Sequence, residues 1–136
     1  MTQHEILLVQ RTWRMIRGIK PELVGDVFYS KLFLEMPGLK KMFDGPMVVQ
    51  HKKLIDMISL MVGRLDRLDE LSEDVRQLAI RHVGYGVRSG HYGAVGHALL
   101  WTLQQGLGKD WTEEVKNAWT HCYAMIAATM EEASAP

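Results

Sequence analysis

Cysteine is almost missing from this chain. Cys122 stands alone, so no internal disulfide can form and the paired-cysteine zinc motifs are excluded. A reducing compartment suits such a protein. Charge of one sign is also lacking, with 16 Lys plus Arg against 16 Asp plus Glu and a formal net charge of zero. A nucleic-acid groove or a general affinity for anionic membranes needs a cationic surplus, so neither partner is expected. The longest apolar stretch, around Ile58 to Val62, falls far short of the about 20 residues that span a bilayer. The opening Met-Thr-Gln-His-Glu lacks the basic start and apolar run of a signal peptide, so a cytoplasmic location is expected. Proline is scarce, and no segment reads as a Gly/Pro/Ser linker between domains.

What is present is a chain of 136 residues, 47% hydrophobic and 24% charged, which is the balance of a folded protein and enough for one domain over residues 1–136. Thr2 and Glu5 make a capping box, and Ile6, Val9, Trp13 and Ile16 follow at helical spacing until Gly18. Pro21 suits the first position of a second helix, with Val24, Phe28 and Leu32 inward and Tyr29 and Phe33 beside them, until Pro37 breaks it into a short turn ending near Phe43. After the turn at Asp44-Gly45-Pro46, Leu54, Ile58, Met61 and Leu65 share a stripe that also takes in Gln50. Ser72 is expected to cap a fourth helix carrying Asp74 in its first turn, and its stripe runs Leu71, Val75, Leu78 and then His82. Gly84 and Gly86 close it. A fifth helix starts near His91 with Tyr92, Val95, Leu99 and Leu103 in register, and Thr112 caps a sixth that buries Val115, Trp119, Cys122 and Ile126. No segment alternates like a strand, so the fold is expected to be all-α, with about six to seven helices.

Ordinary enzyme chemistry finds no foothold. The six histidines show no i, i+4 pair with a zinc-site glutamate, and there is neither a phosphate loop after a strand nor a Gly-x-Ser-x-Gly elbow. The acidic residues fall on outward faces, where they read as a solvated surface. Three groups stand out instead: Tyr29, Gln50 and His82 lie on or beside apolar stripes of different helices, where an unpaired polar group is costly. Each also has a plain reading. A lone histidine on an apolar face is more often bonded to a carbonyl than to a metal; Tyr29 can be a packed aromatic; Gln50 can face water. The four tryptophans and the methionines at helical spacing read as packing.

The order and register of these residues resemble the globin family, most closely single-domain bacterial haemoglobins of the Vitreoscilla and Hell's Gate types and the haem domain of flavohaemoglobins. The likeness runs from Thr12 to about Met130. It is carried by Phe28-Tyr29-Ser30-Lys31-Leu32-Phe33 followed by Pro37 and Met42-Phe43; by Gln50-His51-Lys52-Lys53-Leu54; by Arg81-His82-Val83-Gly84-Tyr85-Gly86-Val87 and His91-Tyr92-Gly93-Ala94-Val95-Gly96; and by Ala118-Trp119 with Tyr123. The resemblance implies a globin fold around haem b (iron protoporphyrin IX), with His82 as the proximal iron ligand and Leu78 one turn before it. Phe43 is then expected to pack on the porphyrin. Leu54, Val87 and Val95 are expected to wall the cavity, with Met57, Met61 and Met125 nearby. Tyr29 and Gln50 are the expected distal donors toward a gas ligand.

Two points need separate treatment. His51 adjoins Gln50, and neighbours on a helix point about 100° apart, so both cannot face one iron; a surface position for His51, near a haem propionate, is expected. In the family a tyrosine and a glutamate brace the proximal histidine. Tyr92 stands at the tyrosine position, but Ser134 occupies the glutamate's place, with Glu131 three residues earlier. That departure argues against strong peroxidase-like electron push.

The resemblance implies a tight, reversible oxygen binder that also takes nitric oxide or carbon monoxide. Dioxygenation of nitric oxide to nitrate is its implied chemistry, using an external reductase. The alternative is a six-coordinate bis-histidyl globin, for electron transfer or gas sensing, with His51 as the second ligand.

Overall fold

The computed structural model describes residues 1–43, 45–84 and 90–134. Among them are six α-helices, α1 Gln3–Arg17, α2 Pro21–Glu35, α3 Met47–Gly63, α4 Leu68–Gly84, α5 His91–Leu107 and α6 Glu113–Ser134, with 3-10 segments at Pro37–Met42 and Gly108–Asp110. No strand occurs among the described residues.

The helix starts follow local chemistry. The Thr2 hydroxyl accepts from the Glu5 N–H while the Glu5 carboxylate accepts from the Thr2 N–H, closing both ends of the capping box. Pro21 occupies the first turn of α2, where its missing N–H costs nothing. At α6 the Val115 N–H donates to the Thr112 hydroxyl at 3.2 Å. Gly45 at φ +82° and Gly108 at φ +54° make the tight turns that precede α3 and follow α5.

The start of α4 differs from expectation. Ser72 does not cap it: the turn after α3 passes directly into the helix, the Leu71 N–H already donates to the Arg67 carbonyl, and Ser72 sits within the helix. Asp74 is drawn to the Arg64 guanidinium rather than to a helix terminus. Asp44, Gly86 and Val87 lie outside the described residues.

Packing joins α2 to both α3 and α5, and α6 to both α1 and α4. The apolar stripes meet in one core that includes Val9, Ile16, Leu32, Leu65, Val75, Leu103, Val115 and Cys122. Two indoles pin α1. Trp119 Nε1 donates to the buried Thr12 hydroxyl at 2.9 Å, and Trp13 Nε1 donates to Ser59 Oγ at 2.9 Å, so α6 and α3 are each fixed to α1 by a directional bond as well as by area. Leaving a buried donor of this kind unpaired costs about 1–3 kcal/mol. Close helix crossings rest on glycine: a Cβ on Gly96 would lie 2.5 Å from the Tyr123 ring, and one on Gly106 would lie 2.5 Å from Ile16 Cδ1.

Exposed histidine–glutamate contacts join the same helix pairs. His4 Nε2 meets Glu114 at 2.5 Å and His121 meets Glu5, both across α1 and α6, while His97 Nδ1 meets Glu35 at 2.9 Å across α5 and α2. The Thr2 N–H and then His121 hold the Glu5 carboxyl below its ordinary range; His97 and then Lys31 do the same for Glu35. A carboxylate held low in the folded state stabilises above its unfolded pKa, and that contribution fades as pH falls through the folded value. We predict that Glu5→Gln with Glu35→Gln lowers the urea midpoint at neutral pH, and that the gap from wild type closes below about pH 4.5, the ordinary carboxyl value.

Candidate functional site

The inward face of α2 carries Phe28, Tyr29 and Leu32, all buried. Tyr29 is 7% exposed and sits at the centre of an aromatic cluster. Its ring centroid lies 4.9 Å from Phe28, 5.8 Å from Phe33, 5.2 Å from Phe43 and 5.8 Å from His51. Phe43 reaches the cluster because Pro37 turns the chain back through the 3-10 segment, setting the ring across from Tyr29 and Phe33. Burial pushes the Tyr29 phenol up to about 12, and at neutral pH it carries, like any tyrosine, an O–H that can donate.

His51 is the main correction to the sequence reading. It is half-buried rather than fully exposed: its ring stacks on Tyr29 with planes 21° apart, and its Nδ1 is buried without a hydrogen-bond partner. The cause is Gly25, one turn before Tyr29 on α2. A Cβ there would come within 2.5 to 2.7 Å of His51 Cγ, Cβ and Cδ2, so only glycine lets the imidazole lie against the α2 backbone. Sequence reasoning missed this contact, although Gly25 stands on the same inward face as Phe28, Tyr29 and Leu32 and was a readable sign of close approach. Gln50 is half-buried on the first turn of α3, and Leu54, one turn on, is buried.

His82 lies on another element, in the last turn of α4. Its Nδ1 lies 2.8 Å from the Leu78 carbonyl, which can only accept, so Nδ1 carries the proton. Burial holds the imidazole pKa below its ordinary value, outweighing that hydrogen bond, and the ring is therefore neutral at pH 7 with its lone pair on Nε2. This is the protonation state a metal-ligating histidine needs. Leu78 itself is buried, placing its side chain in the core one turn before the imidazole.

On α5, Tyr92 is buried and Val95 half-buried. The Tyr123 hydroxyl donates to the Tyr92 carbonyl at 2.6 Å and fixes the start of α5 to α6. Burial raises the Tyr92 phenol, and the Glu131 charge raises it further; Tyr123 is raised by burial, by Tyr92 and by Glu131. Glu131 thus acts on the tyrosine pair from one turn before Ser134, whose side chain lies outside the described residues. Cys122 is buried and its thiol is pushed up to about 12 by burial, so it stays protonated and behaves as a small apolar side chain.

The match to known proteins agrees with this arrangement. The globin family model matches residues 26–130, and the chain belongs to the globin family. It is 32% identical over 130 residues to an uncharacterized globin-like protein of Aquifex aeolicus, covering 91% of this chain and 92% of that one. It is 29% identical over 134 residues to a flavohemoprotein of Vibrio cholerae, covering 93% of this chain but only 33% of the relative. The chain thus spans about a third of that protein's length. Its fold superposes on the crystal structure of a hexacoordinated heme protein from an anhydrobiotic tardigrade with a TM-score of 0.89 at 18% identity, covering 98% and 95% of the two chains.

Globins bind haem and, through it, oxygen and other gases. The donor chemistry here is compatible with that group: a neutral imidazole whose tautomer is fixed by a backbone carbonyl on one helix, and a protonated phenol among aromatic rings on another. Among the described residues, no helix is long and apolar enough to cross a membrane.

The raised Tyr29 phenol has a checkable consequence. Between its ordinary pKa of 10.0 and about 12, the unfolded chain loses the Tyr29 proton while the folded chain keeps it, so stability falls as pH rises through that interval. Tyr29→Phe is expected to remove one late-titrating phenolate from the ultraviolet titration and to flatten the alkaline loss of stability.

Proposed function

We propose that the chain is a single globin domain over residues 1–136 that holds haem b through His82, binds oxygen tightly and releases it slowly. The observation that carries this reading is the burial of the Tyr29 phenol on the inward face of α2, among Phe28, Phe33 and Phe43, in a chain of the globin family. Haem supplies the gas-binding iron and the one-electron chemistry; the chain supplies the rest. His82 presents Nε2 as the ligating nitrogen, and the Nδ1 hydrogen bond to Leu78 keeps the ring from turning. Tyr29 Oη, with Gln50 from α3, donates toward the gas on the distal side. Phe43, Leu54, Leu78 and Val95 line the apolar surround that excludes water and slows oxidation of the iron, and Tyr92 braces the proximal side.

The resulting chemistry is the combination of nitric oxide, oxygen and one electron to give nitrate. The electron comes from an external reductase. The flavohemoprotein relative supports that partner: its name joins a flavin to a haem, and this chain spans only a third of its length. Carbon monoxide is a third ligand of the same site, and the cytoplasm is the proposed location.

A second reading draws on one observation, the His51 ring stacked on Tyr29 with its Nδ1 unpaired. If that ring also held the haem iron, the protein would be a bis-histidyl, six-coordinate globin suited to electron transfer or gas sensing. The first reading predicts that Tyr29→Phe raises the oxygen dissociation rate by roughly ten- to a hundredfold, because a hydrogen bond to a partner carrying charge is worth about 1.5 to 3 kcal/mol. Stopped-flow displacement of oxygen by carbon monoxide measures it. An unchanged rate removes Tyr29 from the site.

A further inference from the structure

The cations of this chain are unevenly placed. Between Glu5 and Glu22 the sequence has no carboxylate, while Arg11, Arg14, Arg17 and Lys20 all fall there. The four are exposed, three along α1 and Lys20 just before α2, and none is ion-paired among the described residues. Elsewhere the chain pairs its arginines: Arg64 meets Asp74, Arg67 meets Glu70 and Arg76 meets Glu73. The carboxylates near the other end of α1, Glu5 and Glu114, are each met by a histidine.

Apolar side chains stand among these cations. Leu7, Arg11, Arg14, Met15 and Gly18 follow one another at three- or four-residue spacing, on the face of α1 opposite the buried Val9, Trp13 and Ile16. On that outer face Leu7 is 54% and Met15 45% exposed. A single exposed leucine is ordinary on a soluble protein; two aliphatic side chains set between unpaired arginines on one stripe are a pattern. The C-terminal dipole of α1 favours Arg14 and Arg17, but it fades beyond the last turn and accounts for neither Arg11 nor the apolar residues beside it.

We propose that the outer face of α1 docks the protein on an anionic lipid surface, with the helix lying along the bilayer. Arg11, Arg14, Arg17 and Lys20 then sit at the level of the lipid phosphates, and Leu7 and Met15 dip among the headgroups. A convex helix face with cations and short apolar projections suits a deformable surface of negative headgroups over hydrocarbon. The zero net charge counts against a general affinity for anionic membranes, but charges farther off than the Debye length of about 10 Å are screened and leave a local attraction standing. The contact is peripheral, since no described helix is long and apolar enough to cross a bilayer. It uses none of the residues assigned to the haem site, so it stands or falls independently of that reading.

Flotation of the purified protein with lipid vesicles tests this, using phosphatidylcholine alone and phosphatidylcholine mixed in equal parts with phosphatidylglycerol. The wild type is expected to partition onto the phosphatidylglycerol vesicles at low salt, to ignore pure phosphatidylcholine, and to be released by about 0.5 M sodium chloride. A basic residue close to an anionic surface raises partitioning about fivefold, so Arg11→Gln, Arg14→Gln and Arg17→Gln together are expected to lower it about a hundredfold. Arg67→Gln with Arg76→Gln removes two exposed, paired arginines from another part of the surface and is expected to leave partitioning unchanged. All five side chains are exposed, so circular dichroism should report the wild-type fold throughout. A wild type that stays off the phosphatidylglycerol vesicles, one that binds both kinds alike, or a triple variant that binds as the wild type does overturns the docking face. So does a wild type that binds duplex DNA as tightly as the vesicles, which marks a surface for any polyanion.

Discussion

The hydrogen bond from His82 Nδ1 to the Leu78 carbonyl is the interaction on which this account depends. A histidine in an apolar setting has to be neutral or paired, and a carbonyl acceptor one turn back settles which nitrogen keeps the proton. Burial acts in the same sense by disfavouring the imidazolium. The result is a ring with a fixed tautomer and a restricted orientation, at the end of a helix held against α6. That hydrogen bond is also the ordinary way a core histidine is satisfied; the proposed haem ligation adds to it a role for the ring's other nitrogen.

The aromatic cluster around Tyr29 is shaped by a steric constraint. Gly25 allows α2 and α3 to approach so closely that the His51 ring rests on the α2 backbone. Tyr29, one turn further along α2, is thereby covered by an imidazole on one side and by Phe28, Phe33 and Phe43 on others. Its burial is the reason its phenol keeps a proton far into the alkaline range. The same contact leaves His51 Nδ1 buried and unpaired, a cost of about 1–3 kcal/mol that a packed core seldom carries without a use for it.

Much of this was legible in the amino-acid order, for physical reasons. Helical periodicity located all six α-helices, because each buries one stripe and the stripe repeats every three or four residues; the Thr2 and Thr112 caps and Pro21 fixed three of the starts within the local chain. The start of α4 was misplaced because Ser72 offered a plausible cap, while the deciding contacts, Leu71 to Arg67 and Asp74 to Arg64, depend on how the α3–α4 turn closes. His82 stood out because a polar group ended an apolar stripe. His51 was placed at the surface because spacing along one helix reports direction only, and what receives the side chain, here the bare backbone of Gly25, belongs to another helix. The pairing of Trp119 with Thr12, which lie far apart in sequence, was likewise beyond any local pattern.

The central claim, that His82 carries haem in a pocket with an open distal position, is tested most directly by the absorption spectrum of the purified protein. It should be recorded ferric, ferrous, and ferrous with carbon monoxide, for wild type and for His82→Gly with and without added imidazole. The account predicts a red wild type whose ferrous form is five-coordinate and binds carbon monoxide, a glycine variant that loses haem or its normal spectrum, and recovery of that spectrum when imidazole fills the vacated space. A wild-type chain that takes up no haem, or a glycine variant with an unaltered spectrum, contradicts it.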